Sequence, residues 1–220
     1  MSKKIFGINT VRVVVDDVIR FVKELDPSIT VHNIIDDSLI AEVIANNGVN
    51  HNVLRKLCAY FVMAEQSGAD LILNVCSSVG EAADVAARMV RIPVVKIDER
   101  MAEEACQTGT RIGVVATLST TMGPTVRLVQ KSAAKMGKQV EITEAVCQGA
   151  FEKLAAGDRQ AHNEIALKTI RDLTRQVDVV VCAQGSMHAL LPELGPTPVP
   201  VLTSPPRGVK HAVELLNSLS

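Results

Sequence analysis

The strongest constraint on the fold of this chain is the alternation of short apolar runs with longer stretches of helical periodicity. Such alternation is typical of α/β proteins, in which crossover helices join parallel strands. We therefore predict an α/β fold built on parallel sheets. The predicted strands cover residues 5–8, 29–31, 71–75, 93–97, 111–116, 140–143, 177–181 and 199–202. The predicted helices cover residues 11–22, 49–66, 81–90, 124–136, 163–176 and 208–216.

The pattern of the first half of the chain returns in the second half. Residues 4–10 resemble residues 111–117, 69–76 resemble 177–182, and 92–95 resemble 199–202. Three matches in the same order predict two duplicated α/β lobes. We expect the amphipathic segment 208–216 to cross back to the first lobe. The first lobe then comprises residues 1–98 and 208–220, and the second comprises residues 99–207.

Two cysteines end corresponding apolar runs in the two halves. Cys76 follows the run at 71–75, and Cys182 follows the run at 177–181. Open α/β sheets bind ligands at the carboxyl ends of their strands. Ser78 and Glu81 fit a capping box, so we expect a helix N-terminus that lowers the pKa of the Cys76 thiol. The alternative for each cysteine is a small buried residue that behaves as a hydrophobe.

Polar residues with small side chains surround both predicted strand ends. Thr117 and Thr120 lie in a Thr-rich loop before the helix predicted at 124–136, and Asn9 lies in the corresponding segment of the first half. Free N–H groups and hydroxyls at such a place can hold an anion, although ordinary helix capping by Thr is equally consistent. After Cys182, Gln184 offers hydrogen bonds, and Gly185 permits a close approach of the backbone to a ligand.

Composition excludes several classes of function. The net charge is −1 and only 2% of residues are aromatic, so nucleic acid is not an expected partner. No G-x-G-x-x-G follows the first strand, so we expect no dinucleotide or other cofactor. The five cysteines lack metal-ligand spacing, and we expect no metal. With no signal peptide and no apolar run long enough to span a bilayer, we expect a cytoplasmic protein that does not bind membranes.

At these residues the chain resembles the aspartate/glutamate/hydantoin racemase superfamily, and it is closer to the hydantoin racemase branch. The resemblance covers nearly the whole length and includes the segments 74–78 and 182–185. It implies two pseudo-symmetric Rossmann-like lobes with an active site between them. It also implies cofactor-independent proton transfer by Cys76 and Cys182. The residues it implies for substrate binding are Ser77, Ser78, Thr117, Thr120 and Gln184, to which the sequence adds Asn9 and Gly185.

The chain departs from the amino-acid racemase pattern after each cysteine. Ser-Ser follows Cys76 where Asn-Thr is common, and Ala-Gln-Gly follows Cys182 where Thr-Glu is common. The expected substrate is therefore a small carboxylate or a hydantoin-like compound, without a choice between them. The alternatives are a decarboxylase or cis–trans isomerase of the same fold, and a small-molecule-binding protein without catalysis. We also expect a homo-oligomer.

Overall fold

The computed structural model describes residues 2–219. The described chain divides into two compact units, which we call the first unit (residues up to 98 and from 205) and the second unit (residues 99–204). Each unit contains a four-stranded parallel sheet. The predicted α/β fold class with two lobes is therefore confirmed.

In the first unit the sheet has the strand order β2-β1-β3-β4. Its elements are β1 Lys4–Asn9, α1 Val15–Leu25, β2 Thr30–Ile35, α2 Asp37–Ala45, α3 His51–Gln66, β3 Leu71–Asn74, α4 Gly80–Ala86 and β4 Val94–Lys96. Short 3₁₀ turns cover Ser77–Val79 and Ala87–Met89.

In the second unit the strand order is β6-β5-β7-β8, which repeats the order of the first unit. Its elements are α5 Glu99–Thr108, β5 Arg111–Ala116, α6 Ser119–Lys135, β6 Glu141–Val146, α7 Ala150–Ala155, α8 Arg159–Leu173, β7 Val179–Cys182, α9 Leu191–Leu194 and β8 Val201–Leu202. A 3₁₀ turn covers Gly185–Leu190. The C-terminal helix α10, Ser204–Ser218, belongs to the first unit from Pro205 onward.

Apolar side chains cover both faces of each sheet, as expected for parallel strands. On one face of the first sheet, Ile5 and Leu73 pack with Val18 of α1 and Val209 of α10. On the other face, Ile72 packs with residues of α3, including Phe61. The buried faces leave the carboxyl ends of the strands as the place where polar side chains gather.

Some helices differ from their predicted bounds. The structure starts α6 at Ser119, whereas the sequence predicted a start at Pro124, which lies inside the helix. Proline is common at the first helical position, and this preference led to the late start. Helices α2, α7 and α9 were not predicted; α2 begins where the Asp36 side chain accepts a hydrogen bond from the Ser38 N–H.

Candidate active site

The carboxyl edge of the first sheet carries a group of buried polar residues around Cys76. Parallel strands end at the same edge, so residues that follow different strands come together there. The group comprises Asn9 and Thr10 at the end of β1, Asn74, Ser77 and Ser78 around the end of β3, and Asp98 beyond β4. Cys76 itself is partly exposed, whereas the others are almost completely buried.

Burial is the largest influence on the pKa of Cys76 and raises it above the ordinary value of 9.0. The hydroxyl of Thr10 and the backbone N–H groups of Ser78 and Val79 favour the thiolate and lower this pKa, and the charge of Asp98 raises it. The N–H groups at the start of the 3₁₀ turn thus act in the expected direction, but burial outweighs them and the pKa of Cys76 is raised rather than lowered.

Asn74 holds the backbone next to the thiol. Its Nδ2 donates to the Cys76 carbonyl at 3.0 Å. Its Oδ1 is buried and has no hydrogen-bond partner within the described chain. A carbonyl can only accept, so this contact fixes which end of the Asn74 amide faces it. The free Oδ1 is thus an acceptor at the edge that carries Cys76.

The predicted capping box is wrong. Ser78 Oγ is buried without a hydrogen-bond partner in the described part of the chain, and neither the 3₁₀ turn nor α4 has a side-chain cap. Helix α4 begins one residue later than the box requires, at Gly80, with Val79 as its N-cap residue. Asn9 uses Nδ2 to donate to Asn33 Oδ1 at 2.9 Å and leaves its own Oδ1 unpaired within residues 2–219. These orphaned groups are suited to bind a ligand or ordered water.

The carboxyl edge of the second sheet carries the second predicted group. Cys182 is the last residue of β7 and is completely buried. The Thr117 backbone N–H donates to Gln184 Oε1 at 2.7 Å, and Gln184 Nε2 donates to Thr117 Oγ1 at 2.8 Å. These two hydrogen bonds join the chain after β5 to the chain after β7.

Two further predicted residues of this edge lie in regular structure. Thr120 lies in the first turn of α6, not in a loop, and its buried Oγ1 has no partner among the described residues. Gly185 begins the 3₁₀ turn after β7. Nδ1 of His188, in the same turn, lies 2.9 Å from Thr203 Oγ1.

The strand registers show that Cys76 and Cys182 do not occupy corresponding positions. In the first sheet Ile8 of β1 pairs with Asn74, and in the second sheet the corresponding Val115 of β5 pairs with Cys182. Cys182 therefore corresponds to Asn74. The residue that corresponds to Cys76 is Gln184.

The backbone supports this correspondence. Cys76 and Gln184 each precede a 3₁₀ turn, with φ and ψ of −136° and 118° at Cys76 and −119° and 135° at Gln184. The internal repeat found in the sequence aligned the two thiols with each other and missed the two-residue offset. Asp70 and Asp178 each lie directly before a strand and six residues before one member of the pair, so aligning these two aspartates gives the correct correspondence.

Thr10, Asp98 and Asn74 were not predicted as site residues. Each is a polar residue at or just beyond the carboxyl end of an apolar strand, which is the signal that could have identified them.

No group of three or more His, Cys, Asp or Glu side chains within residues 2–219 could hold a metal ion. The described helices include none that is long and apolar enough to cross a membrane.

The fold and the polar carboxyl edges define a class of α/β protein with two parallel sheets of the same strand order. Residues 4–212 match the family model for Asp/Glu/hydantoin racemases. The chain belongs to this family. As a member of a racemase family, it belongs to a class of isomerases that act on amino acids or their derivatives. The search of curated proteins gave no significant match.

Solved structures of several racemases resemble the chain over nearly its whole length. The aspartate racemase of Picrophilus torridus has a TM-score of 0.73 at 12% identity, with 98% of this chain and 94% of that chain covered. A glutamate racemase of Bacillus anthracis has 0.71 at 11%, with 99% and 83% covered. The allantoin racemase of Klebsiella pneumoniae has 0.65 at 22%, with 99% and 89% covered. At such low identities the likeness shows the fold alone.

Proposed function

We propose that the protein is a cofactor-independent racemase or epimerase that inverts a carbon next to a carbonyl in a small carboxylate or hydantoin-like substrate. Cys76 and Cys182 are the two acid/base groups. The observation that carries the proposal is the position of Cys76, which is a partly exposed thiol among buried polar groups at a strand's carboxyl edge. Membership of a racemase family supports the type of reaction.

In the proposed reaction one thiolate removes the proton from the carbon, and the electron pair of the broken C–H bond moves to the carbonyl as an enolate. The other thiol then donates its proton to the opposite face of the carbon. Hydroxyls and backbone N–H groups stabilise the enolate oxygen. We assign substrate contacts to Asn9, Ser77, Ser78, Thr117, Thr120 and the backbone at Gly185.

Burial raises the pKa of Cys76, which favours its protonated form. Because the proposed reaction runs in both directions, each cysteine donates a proton in one direction and, as the thiolate, removes one in the other. We further propose that the enzyme works as a homo-oligomer in the cytoplasm, where a reducing environment keeps its cysteines as free thiols.

Deuterium exchange in heavy water tests the proposal. We would incubate the protein with single enantiomers of amino acids, 5-substituted hydantoins and 2-hydroxy acids, and follow loss of the α-proton by NMR and inversion by polarimetry. Cys76→Ser and Cys182→Ser should each lower the rate by about 10²–10⁴-fold, since each removes an acid/base group. Cys58→Ser, which changes a thiol of α3 that has no part in the proposed reaction, is the control and should retain the wild-type rate.

A second candidate follows from the register offset between the cysteines. With Gln184 at the position that corresponds to Cys76, a reaction that needs one thiol is also consistent with the site. Such a reaction is decarboxylation, in which Cys76 protonates the carbanion left by CO₂, or cis–trans isomerisation, in which Cys76 adds to a double bond. Loss of activity in Cys76→Ser with full activity in Cys182→Ser would favour this candidate over the two-base reaction. If the wild type binds a ligand but catalyses neither proton exchange, decarboxylation nor isomerisation, the remaining interpretation is a binding protein without catalysis.

A further inference from the structure

The side-chain oxygen and nitrogen of Gln184 both form hydrogen bonds with the same residue, Thr117. Its Oε1 accepts from the Thr117 N–H at 2.7 Å, and its Nε2 donates to Thr117 Oγ1 at 2.8 Å. No other hydrogen bond of Gln184 or Thr117 side chains is formed among residues 2–219. Gln184 is thus engaged with the protein, whereas the sequence predicted that it contacts the substrate.

The backbone N–H of Thr117 determines the direction of both hydrogen bonds. An N–H group can only donate, so the atom of Gln184 that faces it must be the oxygen. The amide nitrogen then faces Thr117 Oγ1, and the hydroxyl oxygen must accept there. Since a hydroxyl has one proton and that proton is not used toward Gln184, Thr117 is left with a hydrogen-bond donor directed elsewhere.

We propose that Gln184 is a positioning residue that makes Thr117 a hydrogen-bond donor to a carbonyl or carboxylate oxygen of the substrate. Thr117 is almost completely buried, directly after β5 and two residues before α6 begins. A fixed donor at this edge stabilises negative charge on the bound oxygen without reorganisation. The inference rests on the proposed function for its substrate but not for the direction of the hydrogen bonds.

Gln184→Glu tests the direction while it keeps the shape. A carboxylate accepts from both the Thr117 N–H and the Thr117 hydroxyl, so both contacts persist but the hydroxyl proton turns inward. The substrate oxygen then meets a lone pair where it previously met a donor. We expect Gln184→Glu and Thr117→Val to lower kcat/KM by about 10²-fold each, as for loss of one donor to a charged oxygen. Thr117→Ser should restore most of the activity lost in Thr117→Val.

The double variant Thr117→Val with Gln184→Glu separates positioning from direct contact. If Gln184 acts only through the Thr117 hydroxyl, the double variant is no less active than Thr117→Val alone. Additive losses, or wild-type kcat/KM in Gln184→Glu, would overturn the inference. Thr197→Val, which removes a hydroxyl that donates to the Val199 carbonyl in the same unit, is the control for folding.

Neutron diffraction of perdeuterated crystals decides the direction without any activity measurement. We expect an Nε2 deuteron on the line to Thr117 Oγ1 and the Thr117 deuteron pointing away from Gln184. A Thr117 deuteron on the line to Gln184 would refute the inference. Absence of proton exchange with every compound would instead refute the proposed function, and the deuteron positions would still decide the role of Gln184.

Discussion

Gly208→Ala should destabilise the first unit at the point where α10 meets the end of β4. A Cβ atom at Gly208 would lie 2.2 Å from the Ile97 carbonyl oxygen and 2.6 Å from the Ile97 Cα. These are backbone atoms, so no side-chain rotation relieves the contact. Ile97 also donates its N–H to the Asn74 carbonyl at 3.0 Å, which ties this contact to the edge that carries Cys76.

The expected loss of stability in Gly208→Ala follows from how far the new Cβ and the Ile97 backbone must move apart. Ordinary carbon–oxygen contacts lie at about 3.3–3.6 Å, so the helix must move away by about 1 Å. Overpacking of this kind costs about 1–3 kcal/mol, and the better helix propensity of Ala returns at most about 1 kcal/mol. We expect a net loss of about 1–2 kcal/mol, which lowers Tm by about 2–8 °C in a protein of this size.

Urea and thermal unfolding of Gly208→Ala and a matched Gly80→Ala variant provide the assay. Gly80 lies in α4 with helical φ and ψ, and a Cβ there would meet only Lys96 Cδ at an ordinary 3.9 Å. Gly80→Ala should therefore stabilise the protein by about 0.4–1 kcal/mol. A Gly208→Ala variant as stable as the wild type would show that α10 does not pack against Ile97 as described.

Two titrations test the surroundings of single groups. The rate of Cys76 alkylation by iodoacetamide should rise with a midpoint above pH 9.0, and Thr10→Val should move the midpoint up, whereas Asp98→Asn should move it down. Because the folded state keeps the Cys76 proton longer, this thiol should lower the unfolding free energy as pH rises beyond 9.0, with no effect at neutral pH. Tyr60 is the single tyrosine, and its hydroxyl donates to Asp36 Oδ2 at 2.6 Å, which raises its pKa to about 12. Phenolate absorbance should therefore appear near pH 12, and in Asp36→Asn it should return toward pH 10; an unshifted Tyr60 midpoint in the wild type would contradict the contact.

The strands could be predicted from the sequence because buried parallel strands are nearly continuous apolar runs. The strand predicted at 111–116 has the bounds Arg111–Ala116 in the structure. Helix starts were harder to predict, because they depend on side-chain hydrogen bonds that compete with one another. Pro124 gave a strong local signal for a helix start, but α6 begins five residues earlier and places Pro124 in its second turn. Helix α2, which was not predicted, begins with the Asp36 cap, a contact between neighbouring residues that competes with other local hydrogen bonds.

The residues of the two edges could largely be predicted, but their hydrogen bonds could not. Asn9, Ser77, Ser78, Thr117 and Gln184 were identified because they follow apolar runs, and the fold brings each to a carboxyl edge. Which of them has free polar atoms depends on neighbours that are distant in sequence. Gln184 and Thr117 are 67 residues apart, and their pairing follows from adjacency of β5 and β7 in the sheet.

The two-residue offset between the cysteines has a definite physical consequence. Side chains alternate along a strand, so a shift of two residues keeps Cys182 on the same face as Gln184. Each residue advances the strand by about 3.3 Å, so Cys182 lies about 7 Å further from the edge than a thiol at the Gln184 position would. This deeper position of Cys182 agrees with its complete burial, whereas Cys76 is partly exposed. A second base at Cys182 requires substrate to reach deeper into the second unit than the Thr117 hydroxyl. Exchange by the wild type that is abolished in Cys182→Ser would establish that reach, and unchanged exchange would assign the chemistry to Cys76 alone.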